Sequence, residues 1–118
     1  MVVFTGYFAQ LKKYQSAGLI PISIARITPE WFKGQELKEL APSSDLLRRY
    51  KAGKLTEDSY KTEYFHQLDQ VKWKKVLKDL EDNTILLCYE KTGTFCHRHL
   101  LAEYLKDAGY DIKEFTEV

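Results

Sequence analysis

The feature that most constrains this chain is the run Thr84-Ile85-Leu86-Leu87-Cys88-Tyr89. A nearly unbroken apolar stretch of strand length fits a strand covered on both faces, the pattern of a central parallel strand rather than a half-exposed one. Such a strand needs helices above and below it, and the flanking sequence supplies them. Before it, Val71 to Leu80 sets Trp73, Val76, Leu77 and Leu80 at helical spacing and turns Lys72, Lys74, Lys75 and Lys78 elsewhere. After a loop from Glu90 to Thr94, Cys96 to Ala108 reads as a helix with Gly109 past its end.

The rest of the chain continues the alternation. Val2 to Thr5 is a short strand closed by Gly6, and Phe8 to Ala17 is a short helix stopped at Gly18. Leu19 to Ala25 is a second strand with Arg26 at its exit; its Pro21 lies near the beginning, where a missing backbone donor is tolerated. Ser43 or Ser44 caps a helix carrying Leu46, Leu47 and Tyr50. Thr56 caps another, with Glu57 and Asp58 in its first turn and Tyr60, Tyr64, Phe65 and Leu68 on its apolar stripe. Asp111 to Phe115 is a last edge strand. The segment from Thr28 to Ser44 is long for a connection, with a short helical turn expected at Gln35 to Leu40; its Trp31 and Phe32 read as a lid or partner contact rather than as core. Together these elements predict an α/β fold: one small three-layer Rossmann-like domain over residues 1–118, with a mostly parallel sheet of about four strands.

Charge decides what kind of partner such a domain can attract. With 18 basic and 17 acidic side chains the net charge is +1, so an anion must be held by a local patch and not by the field of the whole molecule. No apolar run approaches the roughly 18 residues that span a bilayer. The apolar start, Met1 to Phe4, is broken by Thr5-Gly6-Tyr7 before a signal-peptide core forms. A cytoplasmic protein without a membrane partner is expected, and in that reducing setting Cys88 and Cys96 are expected as free thiols rather than a bridge. The sequence calls for no cofactor and leaves the oligomeric state open.

Chemistry-bearing side chains crowd between residues 88 and 99. Cys88, Glu90 and Lys91 are followed by Cys96-His97-Arg98-His99 at the opening of a helix. On that helix Leu100, Leu101, Tyr104, Leu105 and Ala108 define one face, with His97 near its centre and therefore pointing inward. Cys96 and Arg98 flank the face, and His99 falls on the solvated side beside Glu103 and Lys106. Free amides at a helix start favour an anion, which here could be a thiolate of Cys96 or a bound phosphate. In the plainer reading Cys96 packs, His97 bonds to core backbone and Arg98 pairs with a carboxylate. Ligands of open α/β sheets bind beyond the carboxyl ends of the strands, where Gly6-Tyr7, Arg26 and Cys88-Tyr89-Glu90 also lie.

Three functions follow from these residues. In the first, a small anionic ligand or nucleotide is held by Gly6, Tyr7, Arg26, Cys88 and Arg98, with Cys96, His97 and Glu90 as catalytic candidates. The second is a metal site from Cys88, Cys96, His97 and perhaps His66. It is disfavoured because Cys-x7-Cys-His is not a zinc-knuckle spacing and adjacent residues of one helix turn do not easily share an ion. The third is a non-catalytic nucleic-acid or protein binding module using Arg48, Arg49, Lys51 and Lys54 together with the lysines of residues 72–78.

Leu86-Leu87-Cys88-Tyr89-Glu90-Lys91 followed by Phe95-Cys96-His97-Arg98 resembles the signature of a bacterial and phage family, domain of unknown function 488. Phe4-Thr5-Gly6 resembles that family's opening strand, and Ile24-Ala25-Arg26 its second strand and arginine. Leu40-Ala41-Pro42-Ser43 and Tyr50 to Leu55, with Tyr60 and Tyr64, resemble its middle helices. The family's frequent His-Ser after the opening glycine is replaced here by Tyr7-Phe8, and its frequent aspartate before the arginine is absent from Ser23-Ile24-Ala25-Arg26. The resemblance implies a Rossmann-like domain with a polar cleft and names no reaction.

Overall fold

A computed structural model describes residues 2–80, 82–90 and 95–116. Strand β1 (Val2–Tyr7) leads through a 3-10 turn into helix α1 (Leu11–Ser16), followed by β2 (Ile20–Ser23) and a two-residue strand β3 (Gln35–Glu36). Helices α2 (Ser44–Lys51), α3 (Glu57–Asp69) and α4 (Trp73–Asp79) precede β4 (Thr84–Cys88), α5 (His97–Asp107) and β5 (Asp111–Glu114). All strand pairs are parallel, in the order β3-β2-β4-β1-β5. Among the described residues the sheet therefore has five strands, where about four are expected from the sequence.

The additional strand lies where a helical turn is expected. Gln35 and Glu36 pair with Ile22 and Ser23 through backbone alone, and the helical turn begins only at Lys38, as a 3-10 turn over Lys38–Leu40. Two exposed polar side chains carry no strand pattern; the open backbone edge of β2 takes the segment up, and Glu36 is further held by the Thr28 hydroxyl and by Lys38 at 3.6 Å.

Strand β4 is buried along its whole length between β1 and β2, as its unbroken apolar run requires. Leu86 faces one core with Val3, Ile22 and Ile112, covered by Tyr60, Tyr64, Leu101 and Leu105 from α3 and α5. Ile85 and Leu87 face the other core with Phe8, Tyr14, Leu19 and Phe32. The result is a three-layer Rossmann-like α/β domain. Phe32 is thus a core residue at 7% exposure rather than a lid, while Trp31 stays exposed and meets the edge of Phe8.

Local signals place the helices. Ser43 caps α2 by accepting from the Leu46 amide at 3.1 Å, and Thr56 caps α3 by accepting from Ser59 at 3.0 Å. Gly53 and Gly109 end α2 and α5 at φ of 75° and 95°, a region that glycine enters without a Cβ penalty. No helix among the described residues is long and apolar enough to cross a membrane.

Strand order fixes where a ligand would sit. From β1 the chain passes beyond β4 to reach β2, and from β4 it passes beyond β1 to reach β5, so two neighbouring central strands send their connections in opposite directions. Their carboxyl ends, Tyr7 and Cys88, stand side by side in register. This is the topological switch point at which open α/β sheets form their crevices.

Candidate functional site

A cleft of about 710 Å³ opens at the carboxyl ends of β2 and β4. Ala25, Arg26 and Ile27 form one wall and Cys88, Tyr89 and Glu90 another; Ser44, Leu47, Arg48 and Lys51 of α2 contribute a third, and His97 completes the lining. Among the described residues three cationic side chains and one carboxylate border it, in a molecule whose net charge is only +1. Arg26 also organises the cleft. Its Nε donates to the Pro42 carbonyl at 3.0 Å, and its Nη2 to those of Ala41 and Lys38 at 3.1 and 3.2 Å. Tyr64 and Gln67 of α3 donate to the Leu40 and Ala41 carbonyls, each at 2.6 Å. The segment before α2, buried from Leu40 to Pro42, is thereby a packed strap with its polar backbone satisfied.

Beside the cleft lies a buried sulfur-rich cluster. The sulfurs of Cys88, at the end of β4, and Cys96, the N-cap of α5, are bonded to each other. This overturns the expectation of free thiols: the strand end and the helix start converge at the switch point and bring the side chains together. Their Cα atoms are 7.8 Å apart, wider than the roughly 4.4–6.8 Å that most bridges span.

Arg98 is completely buried and makes a two-pronged ion pair with Glu114 of β5, Nη2 to Oε2 at 2.8 Å and Nε to Oε1 at 3.1 Å. Its Nη1 donates to the Cys88 sulfur at 3.0 Å and to the Glu90 carbonyl, and the guanidinium lies 5.7 Å from the centre of the Tyr7 ring. A buried guanidinium is stable only when its donors are met in this way. Arg98 therefore reaches the sulfur from behind rather than facing the cleft.

His97 points inward, as its place on the helix face predicts. Its Nε2 meets the Ile24 carbonyl at 2.8 Å; a carbonyl only accepts, so Nε2 carries the proton and Nδ1, 3.9 Å from the Cys96 sulfur, is an acceptor. Burial lowers its pKa to about 4, with the Arg98 and Arg26 charges adding to the effect against the Ile24 hydrogen bond. The imidazole is neutral at ordinary pH. His99 differs from expectation: it is half-buried, burial lowers its pKa, and its Nε2 has no hydrogen-bond partner among the described residues.

The structure thus brings Arg26, Cys88, Glu90 and His97 to one cleft and sets Cys96 and Arg98 immediately behind Cys88. Gly6 and Tyr7 do not line it. A Cβ at Gly6 would stand 2.5 Å from the Tyr14 hydroxyl, which donates no space there and itself meets the Tyr7 amide at 3.1 Å. Gly6 thus serves close packing. Glu90 keeps Oε2 3.6 Å from the Cys88 sulfur; Lys91 lies outside the described residues.

The two Cys sulfurs and a ring nitrogen of His97 fall within 4.8 Å of one another, a donor set able to hold a metal ion only with the sulfur–sulfur bond open. Cys96 precedes the helix in extended conformation, φ −155°, which is how neighbouring residues 96 and 97 can aim at one point. His66, exposed on α3, is not in this group. In the sequence Arg48 and Lys51 belong only to a basic stripe; their placement on the cleft depends on how α2 docks, for which the sequence carries no local signal.

A parallel five-stranded sheet between helical layers, with a cleft bordered by a bonded cysteine pair at its switch point, defines a small Rossmann-like α/β domain. The chain belongs to the DUF488 family: the profile described as the active DUF488-N3 subclade matches residues 9–109. No curated protein and no solved structure matches it.

Proposed function

We infer that the cleft binds a compact phosphate-bearing anion, a nucleotide or phosphorylated small molecule. The observation that carries this reading is the convergence of Arg26, Arg48 and Lys51 on one concavity beyond the strand ends. Guanidinium and ammonium groups together suit phosphate, one as a planar fork and the other as a mobile point charge. The Tyr89 ring favours a nucleotide over a bare phosphate. It stands 52% exposed on the wall of the cleft, braced edge-on by Phe8 and tethered through its hydroxyl to the Ile27 carbonyl at 2.6 Å, so a flat apolar face is held ready for a base.

An enzyme acting on that ligand is the natural extension. Glu90 is placed to carry a proton at the rim, neutral His97 offers an acceptor nitrogen, and the cysteine pair supplies nucleophilic sulfur once reduced. The non-catalytic nucleic-acid module has weaker support, because Arg49 is taken up by Glu63 and Asp45, while Arg48 meets Asp45 only in an exposed pair and stays at the cleft.

Calorimetry with adenosine monophosphate and inorganic phosphate tests the nucleotide reading. Replacing Tyr89→Ala is expected to weaken the nucleotide by roughly tenfold, as loss of one base–aromatic stack does, and to leave phosphate unchanged. Equal effects on both ligands, or none on either, would remove the base from the proposal.

A further inference from the structure

We propose that Cys88 and Cys96 form a reversible dithiol–disulfide couple that exchanges with a small thiol entering through the cleft, Cys88 being the sulfur attacked. The two sulfurs are bonded, and among the described residues Cys88, itself 1% exposed, is the one of the pair on the lining of the cleft. Each sulfur has its own means of becoming a thiolate. Cys88 receives the Arg98 Nη1 at 3.0 Å, fixed there by the Glu114 fork. Cys96 occupies the N-cap of an 11-residue helix, whose free amides and dipole favour an anion, and has the acceptor Nδ1 of His97 at 3.9 Å. A permanent staple needs neither provision.

In the exchange, the thiolate of the small thiol attacks the Cys88 sulfur, forming a mixed disulfide as the Cys88–Cys96 bond breaks. The electron pair of that bond goes to Cys96, which leaves as thiolate and takes a proton from water. A second small thiol attacks its own sulfur in the mixed disulfide and releases Cys88 as thiolate. Two small thiols are oxidised to one disulfide, and the protein disulfide is reduced to a dithiol by the same two electrons.

The test is equilibration of the native protein in glutathione buffers of graded reduced-to-oxidised ratio, followed by thiol labelling and mass spectrometry. The expected result is a single two-electron transition between no labelled thiol and two, the chain having two cysteines. Cys96→Ser should then trap one glutathione on Cys88, roughly tenfold or more faster than Cys88→Ser acquires one on Cys96. Folding of both variants is followed by circular dichroism, and the wild-type titration stands without them. A wild-type state unchanged across all buffers overturns the proposal, as does faster capture at Cys96 or a reduced form whose thiols are protected by a bound metal ion. Phosphate affinity, measured on both redox forms, is a separate readout; its absence would end the cleft reading and leave the thiol titration standing.

Discussion

Arg98 and His97 show how far burial alone can decide what a side chain does. Arg98 is a charge with no access to solvent, held by a carboxylate fork, a carbonyl and a sulfur. Replacing it by lysine keeps the charge and loses the fork, so Glu114 and Cys88 cannot both be served. Urea unfolding of Arg98→Met, which removes one partner of the pair, is expected to show a loss of about 3–5 kcal/mol, and Arg98→Lys a smaller one. His97 gives a pH signature instead. Its folded pKa of about 4 lies below the ordinary value of 6.5, so the unfolded chain binds the proton more readily. Its contribution is complete above pH 6.5 and is lost as pH falls toward 4, a change of roughly 3 kcal/mol. A His97→Gln variant keeps an amide donor for the Ile24 carbonyl, and its stability should fall less steeply than wild type over that window; parallel curves would remove His97 as the cause. The inward direction of His97 was legible from helix periodicity. The burial of Arg98 was not, because Glu114 lies 16 residues further along on β5 and only parallel pairing with β1 brings it near.

Elements were legible where a side chain reports its backbone. Ser43 and Thr56 announce helix starts and cap them, and the continuous apolar run of Thr84 to Cys88 announces the centre of the sheet. Each cap is expected to stabilise by about 1 kcal/mol. Ser43→Ala and Thr56→Ala should therefore each lower the midpoint of urea unfolding with the slope unchanged, whereas Ser44→Ala, one residue inside α2, should have a smaller effect. Strand β3 was illegible for the converse reason: Gln35 and Glu36 pair through backbone atoms and leave both side chains exposed. Phe32 misled because an aromatic residue in a long connection can fill either a core or a partner's pocket. Here Phe8 and the second face of the sheet claim it.

At the scale of the whole molecule, near-neutral charge and strand order act together. Five parallel strands whose central pair sends its connections in opposite directions create a crevice, and α2 turns Arg48 and Lys51 into it beside Arg26. With charge balanced elsewhere, the proposed anion site would rest on that local patch rather than on a broad basic surface. The sequence led to the rim through Arg26, Cys88 and Glu90, while the α2 contribution required the docked helix. The most direct measurement is calorimetric titration of inorganic phosphate into the protein and into its Lys51→Glu variant at low and physiological salt. Lys51 is exposed, so the variant should fold. Saturable binding that weakens with salt, and weakens by roughly tenfold or more in the variant, is the predicted result, a charge reversal beside an anion being worth at least about 1.4 kcal/mol. Absence of binding at low salt, or affinity equal in the two proteins, would contradict the anion cleft.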